Sequence, residues 1–130
     1  MNENNEIMLL PPSELEIMNA LWEAERVFPK PILTAHLFEV SPALSRLKTT
    51  SVITLLNRLL LKGYLRIEKA ERNNTYTSLV TEAEYRALAC RDFVRTVYLG
   101  NRTALFAEII AGMTPDERTG LSKLLAKKKS

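Results

Sequence analysis

The sequence predicts a mainly α protein with one small β-hairpin, organised as one domain over residues 1–80 and a helical domain over residues 81–130. Three observations predict it. Apolar residues recur at helical spacing over most of the 130 residues, and the period shortens from 3.6 to 2 after Gly63. Charge is also divided by segment. Residues 1–40 hold two basic and seven acidic side chains, a net of −5; residues 41–80 hold seven and two, a net of +5; residues 81–130 hold nine and six, a net of +3. The whole-chain net of +3 conceals this reversal and by itself argues neither for nor against a polyanion partner.

Ser13 followed by Glu16 has capping-box spacing, and Leu15, Met18, Leu21 and Trp22 then recur helically, so a first helix is expected from about Glu14 to Glu25. Trp22 reads as core packing of that helix. Val27-Phe28-Pro29-Lys30-Pro31 stops it, and Pro31 suits the first turn of a second helix from about Ile32 to Glu39. His36 lies there with no second metal-type ligand at i±4, which points to a structural or surface role. Ser41-Pro42 ends the second helix, and a connection from Val40 to Lys48 leads onward.

The stretch from Thr49 to Lys62 separates into two arcs at 100° per residue. Val52, Leu55, Leu56 and Leu59 form an apolar stripe flanked by Ile53 and Leu60. Opposite lie Thr50, Ser51, Thr54, Asn57, Arg58 and Lys62, hydroxyls, an amide and cations without a carboxylate. A solvated helix face usually mixes Glu with Lys, so the absence of acid points toward an anionic partner. Gly63 supplies the stop. Leu65 and Ile67 then alternate with Arg66 and Glu68, a second strand runs from Thr75 to Val80, and Ala70-Glu71-Arg72-Asn73-Asn74 forms the turn, its asparagines able to take the positive φ of a tight hairpin. Three helices and a hairpin in this order are those of a winged helix-turn-helix, in which the third helix enters the major groove.

In the second domain Thr81 with Glu84 forms a capping box opening a helix to about Leu99, with Leu88, Ala89, Phe93 and Val97 along one side. Gly100-Asn101 breaks it. A short apolar helix from about Thr103 to Ala111 carries Leu105, Phe106, Ile109 and Ile110. Thr114-Pro115-Asp116-Glu117 gives another capping box, with proline at the first helical position, and starts a last helix with Leu121, Leu124 and Leu125. About fifty residues of helix cannot bury this much apolar surface alone, so self-association through these residues is expected.

Several classes are excluded. The chain is too short for a large multidomain enzyme. It has no glycine-rich phosphate loop, no His and Cys nucleophile arrangement and no metal-ligand spacing, so no catalytic residue, metal or cofactor is expected. Cys90, the single cysteine, rules out an intrachain disulfide, fits a reducing cytoplasm, and in mid-helix reads as a small buried hydrophobe. No stretch approaches the about 20 apolar residues of a membrane span, and the polar, acidic start lacks the features of a secretory signal. A cytoplasmic protein without membrane insertion is expected.

Ser13-Glu14-Leu15-Glu16-Ile17-Met18-Asn19-Ala20-Leu21-Trp22 resembles the opening helix of the penicillinase-repressor family. Thr50 to Leu59, with Lys62-Gly63-Tyr64-Leu65, resembles that family's recognition helix and wing entry. Arg72 and Tyr76 match its wing, and Thr81 to Tyr85 its linker into the dimerisation helices. The resemblance runs from about Leu10 to Leu125. It implies a dimeric transcriptional repressor that reads a palindromic double-stranded DNA operator and controls antibiotic-resistance or related genes. Members guarding β-lactam resistance are inactivated through a membrane metalloprotease sensor. Where those members have an Asn-Phe cleavage pair this chain has Glu108-Ile109, and its end, Ala126 to Ser130, lacks the cysteines of copper-responsive relatives. The connection from Glu39 to Lys48 is longer than the family's usual one.

Ser51 and Thr54 are placed to meet base edges or phosphates, with Thr49, Thr50 and Asn57 beside them on the same DNA-facing helix. Arg58 pairs with a guanine or clamps a phosphate, the latter favoured because the C-terminal end of such a helix lies further from the groove floor. Arg46 and Lys48 precede the helix as phosphate anchors, and Lys62 completes its basic face. Arg72 at the hairpin tip reaches backbone or minor groove, or is a solvated turn residue. A winged helix that binds protein instead of DNA is the rival, and the acid-free face opposes it because protein-binding faces more often expose apolar anchors.

Overall fold

The computed structural model describes residues 7–129. These divide into two compact units, the first ending at Leu88 and the second beginning at Ala89. Helix α1 spans Pro12–Val27, with Pro12 in its first turn and Pro11 as an extended N-cap that makes no side-chain cap. Proline has no N–H to satisfy and its φ is preset, so the helix starts ahead of the expected position. Ser13 then lies inside the first turn and the expected Ser13–Glu16 capping box does not form; Glu16 turns to Arg46 instead. Ile17, Met18, Leu21 and Trp22 are buried, as their spacing requires.

The second element differs from expectation. Ile32–Leu33 is a short strand, β1, and helix α2 covers only Thr34–Val40. Ile32 and Leu33 pair antiparallel with Tyr76 and Thr75, so a non-local ladder takes residues whose local pattern reads as helix. The Leu33 amide donates to His36 Nδ1 at 2.9 Å, and the imidazole stacks on Phe28, which gives His36 its structural role. Part of the following connection is a 3-10 turn, Pro42–Arg46, anchored by buried Leu44. Helix α3, Thr49–Leu61, buries Val52, Leu55, Leu56 and Leu59 and packs on α1. Fully burying such side chains contributes roughly 1.5–3 kcal/mol each.

Strands β2, Leu65–Lys69, and β3, Asn74–Ser78, form the hairpin, with Ile67 opposite Tyr76. The sheet order is β1-β3-β2, three strands where a two-stranded wing was expected. The turn is closed by the Ala70 amide donating to the Asn73 carbonyl at 2.9 Å. Neither Asn73 nor Asn74 takes a positive φ, because a loop of this length can reverse the chain without one. Glu25 near the end of α1 accepts from both the amide and the hydroxyl of Ser78, at 2.9 and 2.7 Å, tying the wing to the core. Tyr64 and Tyr85 meet edge to face, centroids 6.0 Å apart. The Tyr64 hydroxyl donates to the Met8 carbonyl, and the Leu10 amide donates to the Tyr85 hydroxyl. Burial pushes the Tyr64 phenol above its ordinary pKa, with Tyr85 and Glu14 adding to the effect.

Helix α4, Glu82–Val97, opens with the expected capping box: the Thr81 amide donates to Glu84 and the Glu84 amide to Thr81, at 2.8 and 3.0 Å. Leu99 at φ +50° and Gly100 at φ +88° end it, the Gly100 amide donating to the Val94 carbonyl. Asn101 caps helix α5, Arg102–Ala111, and the reciprocal Thr114–Glu117 bonds open helix α6, Pro115–Lys129. In the second unit Phe93, Val97, Phe106, Ile109, Leu124 and Leu125 are 46–64% exposed. Leu88, in the first unit, and Leu105, Ile110 and Leu121 are half-buried. Cys90 is exposed rather than buried, because the side of α4 that it shares with Phe93 and Val97 is itself left exposed. None of the helices of the described residues is long and apolar enough to cross a membrane.

Candidate nucleic-acid interface

The two arcs of α3 are realised as physical faces. Anchoring Val52, Leu55, Leu56 and Leu59 in the core rotates Thr49, Thr50, Ser51, Thr54, Asn57 and Arg58 outward, and all six are exposed. The Thr54 hydroxyl donates to the Thr50 carbonyl at 3.0 Å, so its oxygen still offers lone pairs outward. Ser51, Thr54, Leu55 and Arg58 line a shallow concavity of about 260 Å³. Lys48 is the N-cap residue, exposed and extended, and supplies no side-chain cap. The first amides of α3 and the Lys48 ammonium are thus at the same end, an arrangement suited to a phosphate.

The cations of residues 41–80 fall into two groups. Arg46 forms a bidentate pair with Glu16 of α1, at 2.8 and 2.7 Å, and also donates to the Ala43 carbonyl at 2.9 Å. The hydrogen bond from Arg46 pulls the Glu16 carboxyl below its ordinary pKa, and the same bond raises the guanidinium. Lys62 meets Glu14 at 2.5 Å, and Arg66 lies 3.6 Å from Glu68 on the wing. Lys48, Arg58, Lys69 and Arg72 make no ion pair among the described residues.

Of the cations expected at the interface, Lys48, Arg58 and Arg72 therefore present uncompensated charge, whereas Arg46 and Lys62 are each committed to a carboxylate. The difference arises because their partners lie 30 and 48 residues away along the chain. Lys69, the last residue of β2 beside the hairpin turn, was missed; its adjacency to the turn that carries Arg72 was the available signal. Glu108 and Ile109 are exposed residues inside α5.

The α3 face, its buried stripe and the adjoining hairpin define the class: a winged-helix transcription regulator. The family model described as penicillinase repressor matches residues 10–127, nearly the whole chain, and the chain belongs to that family. Among solved structures, the crystal structure of the transcription regulator MarR from Oenococcus oeni PSU-1 is similar, at 15% identity and a TM-score of 0.36, covering 88% of this chain and 77% of that one. No curated protein matches the chain.

Proposed function

We propose that the protein is a homodimeric, cytoplasmic repressor that binds a palindromic DNA operator, each protomer laying α3 in a major groove. The carrying observation is the exposed, carboxylate-free face of α3 flanked by Lys48, Arg58, Lys69 and Arg72, none of them ion-paired among the described residues. Ser51, Thr54 and Asn57 contact base edges, Thr49, Thr50 and Lys48 the phosphates at the start of the helix, and Arg72 the backbone beside the wing. Residues 1–80 form the DNA-binding domain and residues 81–130 the dimerisation domain. Titration of a random duplex against NaCl tests the reading: four phosphate contacts per protomer give a log–log slope of about −3.6 per protomer. Absence of binding at low salt sinks it.

The dimer reading is supported by the apolar residues that the second unit leaves exposed, Phe106 and Leu124 among them. Phe106→Asp or Leu124→Asp is expected to give monomers in sedimentation velocity. Control of antibiotic-resistance genes and inactivation through a membrane metalloprotease are the family's theme, supported here by membership alone. Incubation with such a protease tests for cleavage at Glu108–Ile109. One observation favours a protein-binding reading: Leu61, at the end of α3, is 86% exposed. A salt-insensitive interaction abolished by Leu61→Ser, with no duplex binding, would establish that alternative.

A further inference from the structure

The N-terminal end of α1 carries two carboxylates, Glu14 in the first turn and Glu16 just beyond it. Residues two apart on an α-helix point about 200° apart, so from one turn they reach in divergent directions. Glu14, 3% exposed, takes the ammonium of Lys62, the C-cap residue of α3. Glu16 takes the guanidinium of Arg46 through two bonds; Arg46 ends the 3-10 turn and stands two residues before Lys48, the N-cap of the same helix. The thirteen residues of α3 extend about 20 Å, and a single turn of α1 holds both ends.

We propose that Glu14 and Glu16 are positioning residues for DNA recognition, fixing the seat of α3 on the core through Lys62 and Arg46, and that neither cation contacts phosphate. The inference rests on the reading of α3 as the DNA-contacting helix. The chemistry favours a clamp over a phosphate anchor. A bidentate carboxylate–guanidinium pair has fixed geometry that Arg46 would have to surrender to reach a phosphate. If Lys62 turned to DNA, Glu14 would be left buried and unpaired, which is strongly unfavourable. The clamp also explains why the acidic segment of the sequence immediately precedes the basic one: part of each block neutralises the other across the α1–α3 packing.

The test uses the full chain and two duplexes, one of random sequence and one enriched from a randomised pool by the wild-type protein, each titrated across NaCl concentrations. If the wild type binds neither in a salt-dependent way, the DNA reading falls and this role with it. Otherwise Arg46→Met is expected to leave the salt slope on random duplex unchanged while lowering the preference for the enriched duplex on the order of ten-fold, the scale of one misplaced base contact. Glu16→Gln frees a cation and steepens the slope by about 0.9. The exchanged pair Glu16→Arg/Arg46→Glu is expected to recover the preference to within about two-fold, a recovery that a lost phosphate contact cannot show. For the other end, Glu14→Gln/Lys62→Met avoids a lone buried charge and is expected to keep the wild-type slope. A slope flattened by about 0.9 in Arg46→Met or in the Glu14/Lys62 double variant, or failure of the exchanged pair to recover preference, overturns the clamp.

Discussion

The indole Nε1 of Trp22 donates to the carbonyl oxygen of Val80 at 2.9 Å, joining α1 to the end of the hairpin segment 58 residues later. Both residues are buried, and the ring also tilts against Tyr85. Trp22 is therefore a core residue whose polar edge also fixes where the chain leaves the hairpin for α4. Trp22→Phe keeps most of the apolar surface but leaves a buried carbonyl unpaired, which costs about 1–3 kcal/mol. Urea unfolding should show the midpoint fall with an unchanged m-value.

The Glu16–Arg46 pair has a pH signature. Because hydrogen bonding to Arg46 depresses the folded-state pKa of Glu16 below its ordinary 4.5, the pair contributes stability above that value. That contribution is lost as the pH falls from the ordinary value through the folded one. Glu16→Gln lacks it at every pH. The stability difference between wild type and variant is thus expected to be largest near neutrality and to shrink on acidification below about 4.5; a constant difference across that range would contradict the assignment.

Arg58 lies near the C-terminal end of the α3 face, beyond Ser51 and Thr54. A phosphate contact is expected there. In binding titrations Arg58→Ala should weaken enriched and random duplexes alike and reduce the magnitude of the salt slope by about 1. Loss of discrimination at a single operator position would instead identify a base contact.

Leu99 occupies the left-handed region at φ +50°, with its side chain 87% exposed. That conformation costs a non-glycine residue about 1–2 kcal/mol, whereas glycine adopts it freely. Leu99→Gly should therefore exceed Leu99→Ala in stability by about 1 kcal/mol, before the greater entropy of unfolded glycine reduces the margin. Both variants lose the same side chain, so any contact made by the leucine cancels in the comparison. Thermal unfolding of the two side by side provides the measurement.

The capping box of α6 offers a local control. Thr114 and Glu117 satisfy each other's amides at 2.9 and 3.1 Å. Thr114→Ala is expected to cost about 1 kcal/mol in denaturant unfolding, without altering the salt slope of DNA binding.

Elements governed by short-range chemistry were legible in the sequence. The α3 stripe and its polar arc, the capping boxes at Thr81 and Thr114, and the hairpin after Gly63 each depend on residues within one or two turns of one another, so spacing alone predicts them. The local signal failed where two local rules competed. Pro12 at the first helical position displaced the Ser13 cap because a preset φ and a missing N–H start a helix without one.

What only the tertiary structure decided is which groups find partners far along the chain. Ile32 and Leu33 became a third strand because the free edge of β3 lay beside them. Arg46 and Lys62, indistinguishable in the sequence from Lys48 and Arg58, are drawn to Glu16 and Glu14 by the packing of α1 on α3. The reversal of charge between residues 1–40 and 41–80 was written in the sequence. How much of it is neutralised internally was not, because ion pairing depends on a few ångströms of separation that exist only once the helices have packed.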